Sequence, residues 1–280
     1  MVAANPVPSY TQAPPAYHAA DAAVTDSPGS PLLEPHGAGP SRGDFEGAAD
    51  GDLPDDFKYS TNVSECTISI RNAFVRKVYT ILTAQLLMTG GLSTLFMFVP
   101  GVRLFVQATP SLMWISLFGS IALLLLTYWK RKSYPTNLMF LTGFTLLEGY
   151  SVATITTFYN SKIVVEALLL TLFIFVGLTL YAMQTKYDFI GWMPYVGIGL
   201  WMLIGFGFMA MFFPYSRTGE LLFGVLGALI FSVYVVIDTQ MIMKHFHPEE
   251  EIAASITLYL DFINLFLYIL RILNATQNDR

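Results

Sequence analysis

Seven long apolar runs constrain this chain more than any other feature. They fall at about 78–99, 111–129, 137–158, 163–184, 191–213, 221–243 and 252–272. About 20 mostly apolar residues are needed to cross a bilayer as a helix. With no water in the hydrocarbon to pair with the backbone, each run is expected to be helical. The runs at 78–99, 111–129 and 191–213 carry no Asp, Glu, Lys or Arg. Pro100, Pro110, Pro135 and Pro214 lie near run ends, and Pro194 falls in the first turn of its run, where proline does least harm. Glycines at 90–91, 197, 199, 205, 207, 224 and 227 suggest close helix contacts. The expected fold is an all-α membrane protein with seven transmembrane helices.

Composition agrees once the chain is divided. Charged residues make up 12% of the whole, about half the share of an ordinary soluble domain. A single cysteine, Cys66, excludes a disulfide scaffold. Residues 1–65 hold nine of the fifteen prolines, with ten acids against Arg42 and Lys58, a net −8 that leaves +3 for the rest. Such a segment buries too little apolar surface to offset its ordering entropy, so 1–65 reads as a disordered acidic tail. It has no basic start followed by an apolar run, the pattern of a signal peptide. Residues 66–274 form the membrane domain and 275–280 a short C-terminal tail.

Within the tail, Pro14-Pro15-Ala16-Tyr17 matches the P-P-x-Y ligand of WW domains, which dock a preformed polyproline helix on aromatic grooves. The partner implied is a WW-domain ubiquitin ligase. The alternative is chance occurrence in a proline-rich stretch.

Orientation follows from Lys and Arg. Arg71, Arg76, Lys77, Lys130, Arg131, Lys132, Lys186 and Lys244 lie on the side of the tail. The opposite loops offer Arg103, Lys162 and Arg217, with Arg271 and Arg280 near the end. The tail is therefore expected in the cytosol and the C-terminus across the membrane. Cys66 is then a cytosolic free thiol, or a palmitoylation site.

Acids inside the runs carry the functional signal, because an ionisable side chain at mid-span costs about 2.5–3.5 kcal/mol on insertion scales. Three are present: Glu148, Asp238 and Asp261. Asp238 lies six residues before Lys244 and Asp261 ten residues after Glu251, depths of about 9 and 15 Å. The short connection makes the last two helices antiparallel neighbours, so their carboxylates can meet. Desolvation and mutual repulsion disfavour the doubly ionised state, so the pair is expected to share a proton and titrate as one unit. A hard divalent cation such as Ca²⁺ can replace that proton. Thr257, Asp261, Asn264, Tyr268 and Arg271 fall on one helical stripe. Tyr234 is one turn from Asp238, and Thr145 and Ser151 flank Glu148. The polar stripe reads either as an ion or proton pathway through Glu148, Tyr234, Thr257 and Asn264, or as a seam that holds helices together.

Two segments close to the C-terminus are specific. Tyr234-Val235-Val236-Ile237-Asp238-Thr239-Gln240 is followed by Leu258-Tyr259-Leu260-Asp261-Phe262-Ile263-Asn264-Leu265-Phe266. With Ile70–Tyr79 and Thr185–Phe189, they make residues 66–274 resemble the Bax-inhibitor family, its Lifeguard branch in particular. The resemblance leaves the tail uncovered. It implies a central C-terminal helix wrapped by the other six, and a pH-sensitive calcium leak of an intracellular membrane. Calcium homeostasis and suppression of cell death and of endoplasmic-reticulum stress would follow. It further implies a proton sensor, and metal site, at Asp238 and Asp261, latched by Arg131. Its compartment would be the endoplasmic reticulum membrane, with Golgi or vacuole as alternatives. Expected partners are lipid, Ca²⁺, protons and apoptosis regulators; no nucleic acid and no resident cofactor is expected. The rival reading is a non-conducting interaction protein that regulates apoptosis or the unfolded protein response. No enzyme is expected: intramembrane aspartyl proteases carry Gly-x-Gly-Asp where this chain has Leu258-Tyr259-Leu260-Asp261.

Overall fold

A computed structural model of the chain describes residues 62–277, apart from 131–132, 211 and 214–215. Eight α-helices fill this span: α1 (Ile68–Phe98), α2 (Pro100–Ala108), α3 (Pro110–Trp129), α4 (Thr136–Thr156), α5 (Ser161–Gln184), α6 (Met193–Ala210), α7 (Arg217–Lys244) and α8 (Glu251–Gln277). All but α2 are long and apolar enough to cross a membrane, α6 together with the 3-10 turn Ile190–Trp192 that leads into it. The protein is a multi-pass membrane protein. Pro100 and Pro110 start α2 and α3 at positions whose N–H groups no helix would use. The Asn160 side chain accepts from the Lys162 N–H at 2.9 Å, and Ser216 from Gly219 at 3.3 Å, capping α5 and α7. Inside the helices, Thr80, Thr83, Thr94, Thr142 and Thr171 each donate to the carbonyl four residues back, so these hydroxyls need no other partner.

The run boundaries shift at the first helix. α1 begins ten residues before the expected start, carrying Arg71, Arg76 and Lys77 on a polar extension of the span. The connector after it folds into α2, which tucks Val106 against Phe96 and Ala153 and leaves Leu104 and Phe105 exposed. Two domain edges also move. Residues 62–65 are not part of a structureless tail: the 3-10 turn Val63–Glu65 docks on the end of α7, with Val63 N–H donating to Phe246 O at 3.0 Å and Ser64 Oγ to Lys244 O at 2.9 Å. Residues 275–277 continue α8. The rest of the tail, including Pro14, Pro15 and Tyr17, lies outside the described residues.

The two ends of the bundle are closed differently. At the end where α1 begins, the buried Gln240 accepts from Phe189 N–H and donates to Tyr187 O, both at 2.8 Å. At the opposite end, Arg217 donates to Ala275 O from Nε at 2.9 Å and Nη2 at 2.6 Å, while Arg103 and Gln107 donate to Thr157 O at 2.9 and 3.0 Å. These side chains satisfy carbonyls that helix C-termini leave open.

α8 is the centre. It packs against α1, α4, α5 and α7, whereas α3 packs mainly on α4 and α6 mainly on α7. The expected wrap of six is therefore a ring of four with two outer helices. Lipid-facing side chains such as Phe173, Trp201 and Leu87 stand exposed, while Gln85, Thr145, Asp238, Gln240 and Asp261 are buried. Not every glycine marks a close approach. A Cβ on Gly224 would meet Ile272 Cγ1 at 2.8 Å, but Gly90, Gly91 and Gly205 face open space.

Candidate functional site

Asp238 and Asp261 meet. Their side chains come within hydrogen-bonding reach of each other across the α7–α8 interface, close enough for the two carboxyl groups to share a proton. Asp238 is 6% exposed and Asp261 4%. Oδ2 of Asp261 has no hydrogen-bond partner. Both residues line a cavity of about 550 Å³, together with Tyr234, Thr257, Asn264 and Tyr268. The stripe read from the sequence of α8 thus forms one wall of the cavity. Its last member, Arg271, instead lies over the ring of Phe223, 5.0 Å from the centroid.

Beside the tyrosine hydroxyls, the polar lining offers oxygen acceptors. Asn264 donates Nδ2–H to Leu260 O at 2.8 Å, which leaves its carbonyl oxygen available. Thr257 donates its hydroxyl to Ala253 O at 3.0 Å and keeps its lone pairs. With two carboxylates these make an oxygen donor set suited to a hard cation. Among the described residues, no Lys, Arg or His lines the cavity. The opposite wall is apolar, from Leu200, Leu203, Ile204 and Gly207 of α6. An aromatic string runs away from the acids. Tyr234 and Phe231 have centroids 5.8 Å apart, Phe231 stacks on Tyr268 at 5.7 Å, and Tyr268 meets Phe223 at 5.6 Å.

Glu148 does not join this site. The structure sets it beside Ser120 of α3, within a separate buried polar seam. There Gln85 donates to Thr145 at 3.1 Å, Ser116 pairs with Ser151 at 2.7 Å, and Thr89 pairs with Tyr259 at 2.8 Å. Tyr259 lies two residues from Asp261, about 200° around α8, so the seam and the cavity occupy opposite faces of the central helix. Of the proposed pathway residues, Tyr234, Thr257 and Asn264 line the cavity and Glu148 does not. Arg131 lies outside the described residues, but Tyr128 of α3, three residues earlier in the sequence, reaches the cavity. The sequence reading missed Tyr128, Gln240 and the polar pair Gln85 and Thr89. The last two stand one turn apart in a charge-free run, a pattern that marks a buried polar face.

Comparison with known proteins fixes the family. The profile of the family described as inhibitor of apoptosis-promoting Bax1 matches residues 71–278. This chain belongs to the Bax inhibitor family. Among curated members, protein lifeguard 4 of Mus musculus is 41% identical over 225 residues, 80% of this chain and 94% of the relative. Bax inhibitor 1 of Schizosaccharomyces pombe is 38% identical over 273 residues, 98% of this chain and 94% of the relative. Its alignment reaches into the N-terminal tail, which the resemblance read from motifs alone left uncovered. The Golgi anti-apoptotic protein of Vaccinia virus (strain Lister) is 39% identical over 225 residues, 80% and 94% of the two chains. The Asp238 and Asp261 motifs both fall inside the matched span of this Bax inhibitor family member.

Proposed function

We propose that this chain is an anti-apoptotic protein of an intracellular membrane that leaks calcium under the control of protons. Calcium homeostasis, suppression of cell death and relief of the unfolded protein response are its consequences. The names of the fission yeast and viral relatives support the anti-apoptotic reading. The endoplasmic reticulum is the proposed compartment, with the Golgi favoured as the alternative by the viral relative's name.

One observation carries the mechanism: two neighbouring buried carboxyl groups, Asp238 and Asp261, at the edge of a cavity with oxygen-bearing side chains and no Lys, Arg or His in its lining among the described residues. With one shared proton the pair is a neutral acid bonded to a carboxylate, and it holds α7 against α8. Loss of that proton leaves two negative charges in contact. Their repulsion is relieved by a cation at Asp238, Asp261 and the Asn264 carbonyl, or by the two helices separating. Conduction needs this site to be weak enough for exit. Arg131, three residues after Tyr128 in the sequence, is proposed to latch a carboxylate in the closed state.

The test is calcium efflux from liposomes containing the purified protein, measured across a range of pH around neutrality. Wild type is expected to leak faster as pH rises, by up to about tenfold per pH unit on the acid side of the titration. Asp238→Asn and Asp261→Asn each remove one member of the pair and should flatten that dependence. Efflux with an unaltered pH profile in both variants would defeat the mechanism.

A further inference from the structure

A site for an inorganic ion alone needs neither the size nor the walls of this cavity. Its volume of about 550 Å³ is bounded on one side by Leu200, Leu203 and Ile204, which have nothing to offer a hydrated cation. Among the described residues, its only charged groups are the carboxyls of Asp238 and Asp261, with the Asn264 carbonyl oxygen and the Thr257 hydroxyl oxygen in the same lining. The ring of Tyr234, one turn from Asp238, lines the same cavity with that of Phe231 next to it, and aromatic faces attract organic cations.

The cavity also reaches the outside of the bundle sideways. α3 and α6 make no substantial packing contact with each other, yet Tyr128 of α3 and Ile204 of α6 both line the space. Ile204 is 53% exposed and Tyr128 41%. Ile204 lies within its span and Tyr128 at the end of its own, next to Lys130, so the gap between them opens toward lipid near one membrane surface. A molecule entering this way arrives from the bilayer.

We infer that the cavity binds a long-chain primary amine taken from the membrane, its ammonium on the Asp238–Asp261 pair and its alkyl chain along α6. An ammonium donates three hydrogen bonds, and the Asp261 Oδ2 left without a partner, the other carboxylate oxygens and the Asn264 carbonyl accept them. Charge complementarity selects the amine over a neutral lipid, and the apolar wall selects it over a short polyamine. The site shares its carboxylates with the calcium reading but does not rest on conduction.

The probe is hexadecylamine carrying a terminal diazirine, photolysed with the protein in phosphatidylcholine nanodiscs and mapped by mass spectrometry; the matched hexadecanol is the control. Labels are expected on α6 around Leu200–Gly207 and on α7 near Phe231, at least about tenfold above the alcohol, the scale of one charged hydrogen bond. Unlabelled dodecylamine should compete. Asp238→Asn with Asp261→Asn should abolish the preference for the amine. Leu203→Trp, which keeps both acids and narrows the space along the α6 wall, should sharply reduce labelling and covers the case in which the double variant does not fold. Equal labelling by the alcohol, or labels confined to outward faces such as Phe173, would overturn the proposal. So would labelling indifferent to Leu203→Trp. Calcium efflux from the same preparation separates the two readings: labelling without efflux removes the leak alone, and efflux without labelling removes the amine site alone.

Discussion

Gly227 sets how closely α7 approaches the helix that carries Asp261, and Gly227→Ala tests whether that approach shapes the cavity. A Cβ at this position would run into the ring of Tyr268, with Cγ at 2.6 Å and two further ring carbons closer still. Carbon atoms prefer about 3.5–4.0 Å, so the ring must withdraw by roughly 1 Å. It has nowhere to go alone, being stacked on Phe231 and edge-on to Phe223. Overpacking of this kind costs about 1–3 kcal/mol. At about 2–4 °C per kcal/mol for a chain of this size, the expected fall in Tm is roughly 3–10 °C, followed by circular dichroism in one fixed detergent. Gly177→Ala is the control. Its Cβ enters open space, and alanine gains about 0.5–1 kcal/mol over glycine in a helix interior, so Tm should hold or rise. Because Tyr268 lines the cavity, the Gly227 variant should also lose calcium efflux at every pH. Equal Tm values for the two variants would refute the close approach as drawn.

Two further substitutions probe the surroundings. Gln240→Leu strands Tyr187 O and Phe189 N–H, at about 1–3 kcal/mol for each buried group left unpaired. Hydrogen exchange should accelerate across residues 185–192, and unchanged protection there would remove Gln240 as the clasp. Glu148→Gln keeps a side chain able to bond Ser120 and sits on the far face of α8 from the aspartates. The pH profile of efflux should match wild type, and a shifted profile would bring Glu148 into the path.

The span count was legible because hydrocarbon leaves the backbone few options, and the α8 stripe because helical spacing fixes which residues share a face. The meeting of Asp238 with Asp261 followed from a connection too short for anything but antiparallel neighbours. What the sequence hid was lateral placement. Glu148 looked equivalent to the aspartates by cost of burial, yet its neighbours come from α3 and α1, and nothing in its own run says which side of α8 it meets. The Gly90-Gly91 pair shows the same limit: small residues permit a close contact, but only the position of another helix provides one. α2 was missed because nine residues are too few to span and too apolar to look like a loop.

The two faces of α8 are held unequally, and this decides where the molecule can open. On one face, Tyr259 is fully buried, bonded to Thr89 and edge-packed on Phe144, while Phe262 packs on Phe175 of α5. Moving α8 there would break hydrogen bonds and dense contacts with three helices at once. On the other face, the cavity is closed by α6, the span with the smallest buried share of the seven, and by one corner of α3. Local opening is cheapest where least apolar contact is lost. Charge that develops on Asp238 and Asp261 therefore acts against the weakest wall of the bundle, so α6 and the α3 corner are expected to shift while α1, α4, α5 and α8 stay assembled.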